Sequence, residues 1–316
     1  MDPAISERER SLDLADLILF RTVAEAGSIT RAAERLHRVQ SNVTARVKRL
    51  EVQLGVSLFV RGRRGMSLTP EGKRLTDYAD RLLALAEEAR SSLGDREPSG
   101  RLQIGSMEST AAVHLPGLLS RLHATYRALE VQLVTGTSGA LIAQLRAGEI
   151  SAAFVSGDVR EPGLIADPAF MEELVLITHP STRRPPCPTD LRDKTLVAFG
   201  AGCTYRACVE TWLAAQEIRP PRIFDVASYH AMLACIAANV GYAFAPRSVL
   251  RASTARAAVI AHRPNRHPWR MTTWLARRAN DRSRAVEALA ELVRRGARRH
   301  GSDGWGEDAP RRSGRR

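Results

Sequence analysis

The chain has 316 residues, with 47 Lys and Arg against 34 Asp and Glu, a net charge of +13 and 44% hydrophobic residues. This composition excludes a collagen-like or largely disordered chain, and the length exceeds that of one common domain. Four cysteines (Cys187, Cys203, Cys208, Cys235) with no CxxC pair exclude a disulfide scaffold and a zinc ribbon, so no metal or other cofactor is expected.

Met1 to Asp13 is polar with mixed charge and does not resemble a secretory signal. The most apolar stretch, Tyr229 to Pro246, is interrupted by His230, Asn239 and Gly241, whereas a spanning helix needs about 20 apolar residues. A cytoplasmic protein without membrane contact is the expectation. The excess charge is concentrated. Residues 28–66 hold nine Lys and Arg against two acids, and residues 294–316 hold eight Arg against three acids. A basic surplus on a short N-terminal unit points to a polyanionic partner. The glycine-rich tail from 294 lacks apolar periodicity and is expected to be disordered.

In chain order, Leu14, Leu17, Ile18, Phe20 and Val23 form a helical stripe ending near Gly27. Ser28 is placed to cap a second helix with Ala32, Ala33 and Leu36 on its inner face. A third helix is predicted from about Gln40 to Leu54, with Val43, Val47, Leu50 and Leu54 on one buried face. Ser41, Asn42, Ala45, Arg46, Lys48 and Arg49 lie around its outer side, with Thr44 at the margin. Amide, guanidinium and hydroxyl groups on an exposed helix suit readout of base edges in a DNA major groove. Leu58 to Val60 and Met66 to Leu68 flank the basic turn Arg61-Gly62-Arg63-Arg64-Gly65, a wing able to reach phosphates or a minor groove.

Thr69-Pro70 starts a long helix to about Leu93. Leu75, Leu82 and Ala89 repeat every seven residues, as do Tyr78 and Leu85, which predicts a dimer seam. Such a dimer would set two reading helices on half-sites about one or two DNA turns apart. Residues 94–100 read as a hinge.

Beyond it, strand-like and helix-like segments alternate. Strands are predicted at 102–105, 130–134, 152–155, 174–178, 196–199, 223–226 and 242–245, and helices at 115–126, 139–147, 204–216 and 229–238. That order implies two similar α/β halves with parallel sheets, and a ligand cleft at the carboxyl ends of their strands. The ends carry small polar residues: Ser106, Ser109 and Thr110; Thr135, Thr137 and Ser138; Gly202, Cys203 and Thr204; Ser228, Tyr229 and His230.

The run Ala24-Glu25-Ala26-Gly27-Ser28-Ile29-Thr30-Arg31-Ala32-Ala33, followed by Leu36, Gln40, Arg49-Leu50-Glu51, Leu54-Gly55, Leu58-Phe59, Arg61 and Leu68-Thr69-Pro70-Glu71-Gly72, resembles the LysR-type transcriptional regulators. The resemblance implies a two-domain α+β protein: a winged helix-turn-helix (1–69), a dimerising linker helix (70–93), the hinge (94–100), and a periplasmic-binding-protein-like effector domain (101–293). Subdomain I would span about 101–171 and 271–293, and subdomain II about 172–270, with the basic tail at 294–316. The family usually has Ser or Thr where this chain has Val39, and Pro where it has Ser41. Carried over by motif, Gln40, Ser41, Asn42, Thr44 and Arg46 would read bases, and Arg31, Lys48, Arg61, Arg63 and Arg64 would hold phosphates. Ser109, Thr110, Thr137, Ser138, Cys203, Thr204, Ser228 and Tyr229 would bind a small-molecule effector. The implied partners are double-stranded promoter DNA, the effector, a second copy of the chain in dimers and tetramers, and RNA polymerase. Residues 37–39, 108–113, 203–206 and 228–235 are similar to those of a putrescine-utilisation regulator, which implies control of polyamine or semialdehyde catabolism.

Three functions compete with this reading. No catalytic site is expected, because nothing places Cys203 against His230 or Asp225. A thiol switch at Cys203 is the main alternative, since a cysteine near a helix start is expected to have a lowered pKa. The third is a nonspecific architectural DNA binder.

Overall fold

The computed structural model describes residues 12–62, 65–92, 97–263 and 269–299. Arg63, Arg64 and residues 300–316 lie outside the described residues. The chain divides into two compact units, Met1–Gly94 and Asp95–Arg316.

In the first unit, helix α1 (Leu14–Ala26) begins where the Asp13 carboxylate accepts the Ala15 N–H at 2.9 Å, and ends at Gly27 in the left-handed region (φ 59°). Helix α2 (Ile29–Arg35) follows. Ser28 was expected to cap it, but its side chain makes no capping bond; only its carbonyl enters the helix, accepting Ala32 N–H at 3.0 Å. A turn through His37 (φ 50°) leads to α3 (Gln40–Leu54), which starts at Val39, a residue with no side-chain acceptor. Val43 and Val47 pack with Leu19, Val23, Ala32 and Ala33, while Leu50 packs with Leu17, Phe20 and Leu58. Leu54, expected on the same buried face, is 38% exposed instead. It is the last helical residue, one turn beyond the core, where Gly55 turns the chain away.

Strands β1 (Phe59–Gly62) and β2 (Gly65–Leu68) form an antiparallel hairpin. It is tied down at both ends. The Glu51 carboxylate accepts Leu58 N–H at 2.7 Å, and Met66 N–H donates to the Gly27 carbonyl at 3.0 Å. Helix α4 (Pro70–Ser92) then starts at Thr69, whose hydroxyl accepts Gly72 N–H at 2.9 Å and donates to the Ser57 carbonyl at 2.7 Å. Any Cβ at position 72 would come within 2.2 Å of the Leu58 carbonyl oxygen, so only glycine fits there. Arg21 and Asp80, 2.8 Å apart, pin α4 to α1.

The second unit is built on one continuous sheet with the strand order β4-β3-β5-β11-β6-β9-β7-β8. Parallel strands β3 (Gly100–Ser106), β4 (Leu129–Thr135) and β5 (Ala152–Ser156) make one half. Parallel strands β7 (Leu196–Phe199), β8 (Ile223–Val226) and β9 (Tyr242–Pro246) make the other. The sheet is nevertheless mixed, not parallel throughout as expected. Strand β6 (Leu164–Thr178) pairs antiparallel with β11 (Arg270–Arg278) up to Glu173, then with β9 from Leu174 onward. One strand carries the chain out of the first half and the other brings it back, so the two must run in opposite directions. They meet where Leu174 N–H donates to the Trp269 carbonyl at 2.7 Å. Short β10 (Ile260–His262) lies beside β6.

Seven helices cover the described sheet: α5 (Glu108–Val113), α6 (Leu115–Thr125), α7 (Ser138–Ala147), α8 (Thr204–Ala215), α9 (Tyr229–Ala237), α10 (Arg247–Ala252) and α11 (Arg284–Arg299). Leu118 and Leu122 of α6 and Leu289 and Val293 of α11 close over Leu102 and Ile104 of β3. Helix α11 runs through Arg299, so residues 294–299 belong to it and not to a structureless tail. Arg294 is held there by Asp167 at 3.4 Å and Glu287 at 2.5 Å.

Candidate nucleic-acid interface and ligand pocket

With Val43, Val47 and Leu50 buried, α3 turns Gln40, Ser41, Asn42, Ala45, Lys48 and Arg49 to the surface. Thr44 is half-buried, and its hydroxyl donates back to the Gln40 carbonyl at 2.9 Å. Arg38, before the helix, reaches Asn42 at 3.4 Å, and Arg31 on α2 is exposed. The backbone of Arg61 lies in β1. This leaves a polar, cationic ridge of short and medium side chains, the chemistry a major groove requires.

Arg46 does not join the ridge. Its guanidinium turns inward to the buried Asp16 carboxylate, with Nε at 2.7 Å and a second nitrogen at 2.5 Å. Asp16 also takes the exposed Arg49 at 3.0 Å. A buried carboxylate must be paired, and Arg46 is the less exposed of the two cations that reach it. This pairing disfavours the expectation that Arg46 reads a base, because Nε and one terminal nitrogen are engaged with Asp16 on α1. The sequence signal was an Asp next to Leu17 on the apolar stripe of α1.

In the second unit, a cavity of about 500 Å³ opens at the carboxyl ends of the strands. Of the predicted effector residues it brings together Ser109, Thr137, Ser138, Cys203, Thr204 and Tyr229. Two do not line it. Thr110 points into the protein and is fully buried, and Ser228 caps α9 by accepting Ala231 N–H at 3.2 Å. Sequence reasoning missed the apolar walls Met107, Phe199 and Val226 and the two carboxylates Glu108 and Asp225. The halves touch across the cleft where the Thr204 hydroxyl donates to the Ser156 carbonyl at 3.1 Å. Behind the cavity, Glu172 is buried against His114 at 2.6 Å and takes the Ser248 hydroxyl on both oxygens.

The Cys203 thiol departs from expectation. Burial pushes its pKa up, outweighing the amides of Tyr205 and Arg206 at the start of α8, and burial does the same to Cys208. All four cysteines are free thiols. No helix of the described residues is long and apolar enough to cross a membrane.

Comparison with known proteins matches both units. Residues 14–73 fit the model for the bacterial regulatory helix-turn-helix protein, lysR family, and residues 95–298 fit the LysR substrate binding domain. The HTH-type transcriptional regulator GltR of Bacillus subtilis (strain 168) is 36% identical over 247 residues, covering 78% of this chain and 83% of that protein. YofA of Bacillus velezensis is 38% identical over 241 residues, 76% of this chain and 83% of that protein. Among solved structures, full-length CbnR complexed with its target DNA superposes with a TM-score of 0.64 at 26% identity, over 90% of this chain and 100% of that one. Full-length OxyR of Pseudomonas aeruginosa, a cysteine variant, does so with a TM-score of 0.64 at 26% identity, over 90% and 95%.

Proposed function

The chain belongs to the LysR family of DNA-binding transcriptional regulators, not enzymes, and we propose that α3 and the β1–β2 wing read its operator while the 500 Å³ cavity senses a small molecule. Gln40, Ser41 and Asn42 read base edges. Arg31, Lys48, Arg61, Arg63 and Arg64 hold phosphates, and Thr44 supports the helix margin. The observation that carries the reading is the exposed amide and hydroxyl face of α3, set by a buried Val43, Val47 and Leu50 stripe.

Helix α4 exposes Tyr78 and Leu85, at 59% and 60%, and Leu82 beside them. We assign that stripe to a dimer seam, with tetramers built from the dimers. Effector binding closes the cleft and shifts the population between two arrangements of the dimers, changing DNA bending and access by RNA polymerase. The protein works in the cytoplasm, and polyamine or semialdehyde catabolism is the candidate target pathway. The redox alternative is weaker, because half-buried cysteines with a raised pKa react slowly, and Cys203 precedes the helix that holds Cys208.

Selecting bound duplexes from a random pool tests the DNA reading. The expected product is one site with two half-sites related by a dyad. Recovery of unrelated sequences would assign the chain to nonspecific binding instead.

A further inference from the structure

The geometry points to an effector that carries a protonated amine, seated on the free oxygen of Glu108. This rests on the reading of the cavity as the effector site. The described lining contains two carboxylates, Glu108 and Asp225, and no Lys, Arg or His. Asp225 already has a cation, the Arg206 guanidinium at 2.7 Å. Glu108 does not. One of its oxygens accepts Tyr229 N–H at a long 3.4 Å, and Oε2 is buried with no hydrogen-bond partner among the described residues. Beside it the hydroxyls of Ser109 and Tyr205, both more than nine-tenths buried, line the same cavity without a well-formed hydrogen bond among the described residues.

A carboxylate taken out of water is costly until a cation or proton reaches it. Burial accordingly pushes the Glu108 carboxyl above the usual carboxylate range. A ligand ammonium would supply the missing charge, and the Ser109 and Tyr205 hydroxyls, which lie within reach of one another, can turn their lone pairs to its remaining protons.

Four helices begin at the cavity, α5, α7, α8 and α9, and helix starts ordinarily welcome anions. Here much of that demand is met by the chain itself. Thr137 accepts Ala140 N–H at the start of α7, Ser228 accepts Ala231 N–H at the start of α9, and Glu108 is the anion on Tyr229 N–H. Met107, Phe199 and Val226 offer an apolar wall for an aliphatic body.

The test titrates the full-length chain with four five-carbon probes that differ only in their end groups: cadaverine, aminopentanol, pentanediol and glutarate. The two amines should bind, the diol and the diacid should not, and Glu108→Gln should weaken the amines roughly tenfold or more. Gln keeps the shape of Glu, so folding is not at stake. Glutarate binding in preference to the amines, amine binding untouched by Glu108→Gln, or no amine binding at all would each overturn the proposal. The effector-site reading is judged separately: glutarate or pentanediol binding that Phe199→Ala abolishes keeps the cavity as the site while removing the charge assignment.

Discussion

On α3, Gln40, Ser41 and Asn42 follow one another along the chain, whereas Glu108 and Tyr229 meet in the cavity across 121 residues. The first surface is local. One helix, three buried apolar residues and a preceding turn are enough to present it. The second is collective, assembled from strand ends and helix starts that only the complete sheet brings together. A substitution on the first should therefore change what is bound, while one at the supports beneath either surface should change whether the unit holds its shape.

The largest effect is expected where the local surface rests on a long-range support. Arg46→Ala leaves the buried Asp16 with only the exposed Arg49, and should cost about 2–4 kcal/mol of first-unit stability. Denaturant unfolding would register it, and affinity should fall equally for every DNA sequence. A loss confined to one base pair, with stability intact, would return Arg46 to the reading face. Next in size, Asn42→Ala should cost about 1–3 kcal/mol of operator affinity while leaving random duplex unaffected. Competition binding against single-base operator variants measures this, and an even loss on all duplexes would recast Asn42 as a backbone contact. A smaller effect is expected at Lys48, exposed on the same helix. Lys48→Ala should lower affinity on all sequences and reduce the slope of log affinity against log salt by about one. The smallest concerns the cavity: Cys203→Ser should leave the peroxide response of operator binding unchanged, because burial holds Cys203 as a thiol. A response lost with the sulfur would restore the redox alternative.

The same contrast explains what the sequence made legible. Periodicity located α1 to α4 of the first unit and all six parallel strands of the second, because each of these carries its own apolar pattern. Thr110 and Ser228 were grouped with the pocket because they sit at strand ends, yet one faces the core and the other caps its own helix. Strand polarity alone does not separate these roles. Arg46 looked outward on a helical wheel, and only the fold brings Asp16, thirty residues earlier, beneath it. The first ten residues of β6 and all of β11 escaped the strand pattern because they interleave polar and apolar residues to serve both halves of the sheet. Glu108 was passed over because the six-residue helix it opens has too little apolar pattern to be predicted, and its lack of a cation appears only in three dimensions.

The most direct measurement is methylation interference at guanine N7 on a selected operator, comparing the wild-type chain with a Gln40→Ala, Asn42→Ala double variant. Interference in two major-groove tracts about one or two turns apart, weakened for the variant only at the contacted bases, is the predicted result. Interference spread evenly along the duplex, or a pattern unchanged in the variant, would contradict the claim that the outer face of α3 reads DNA.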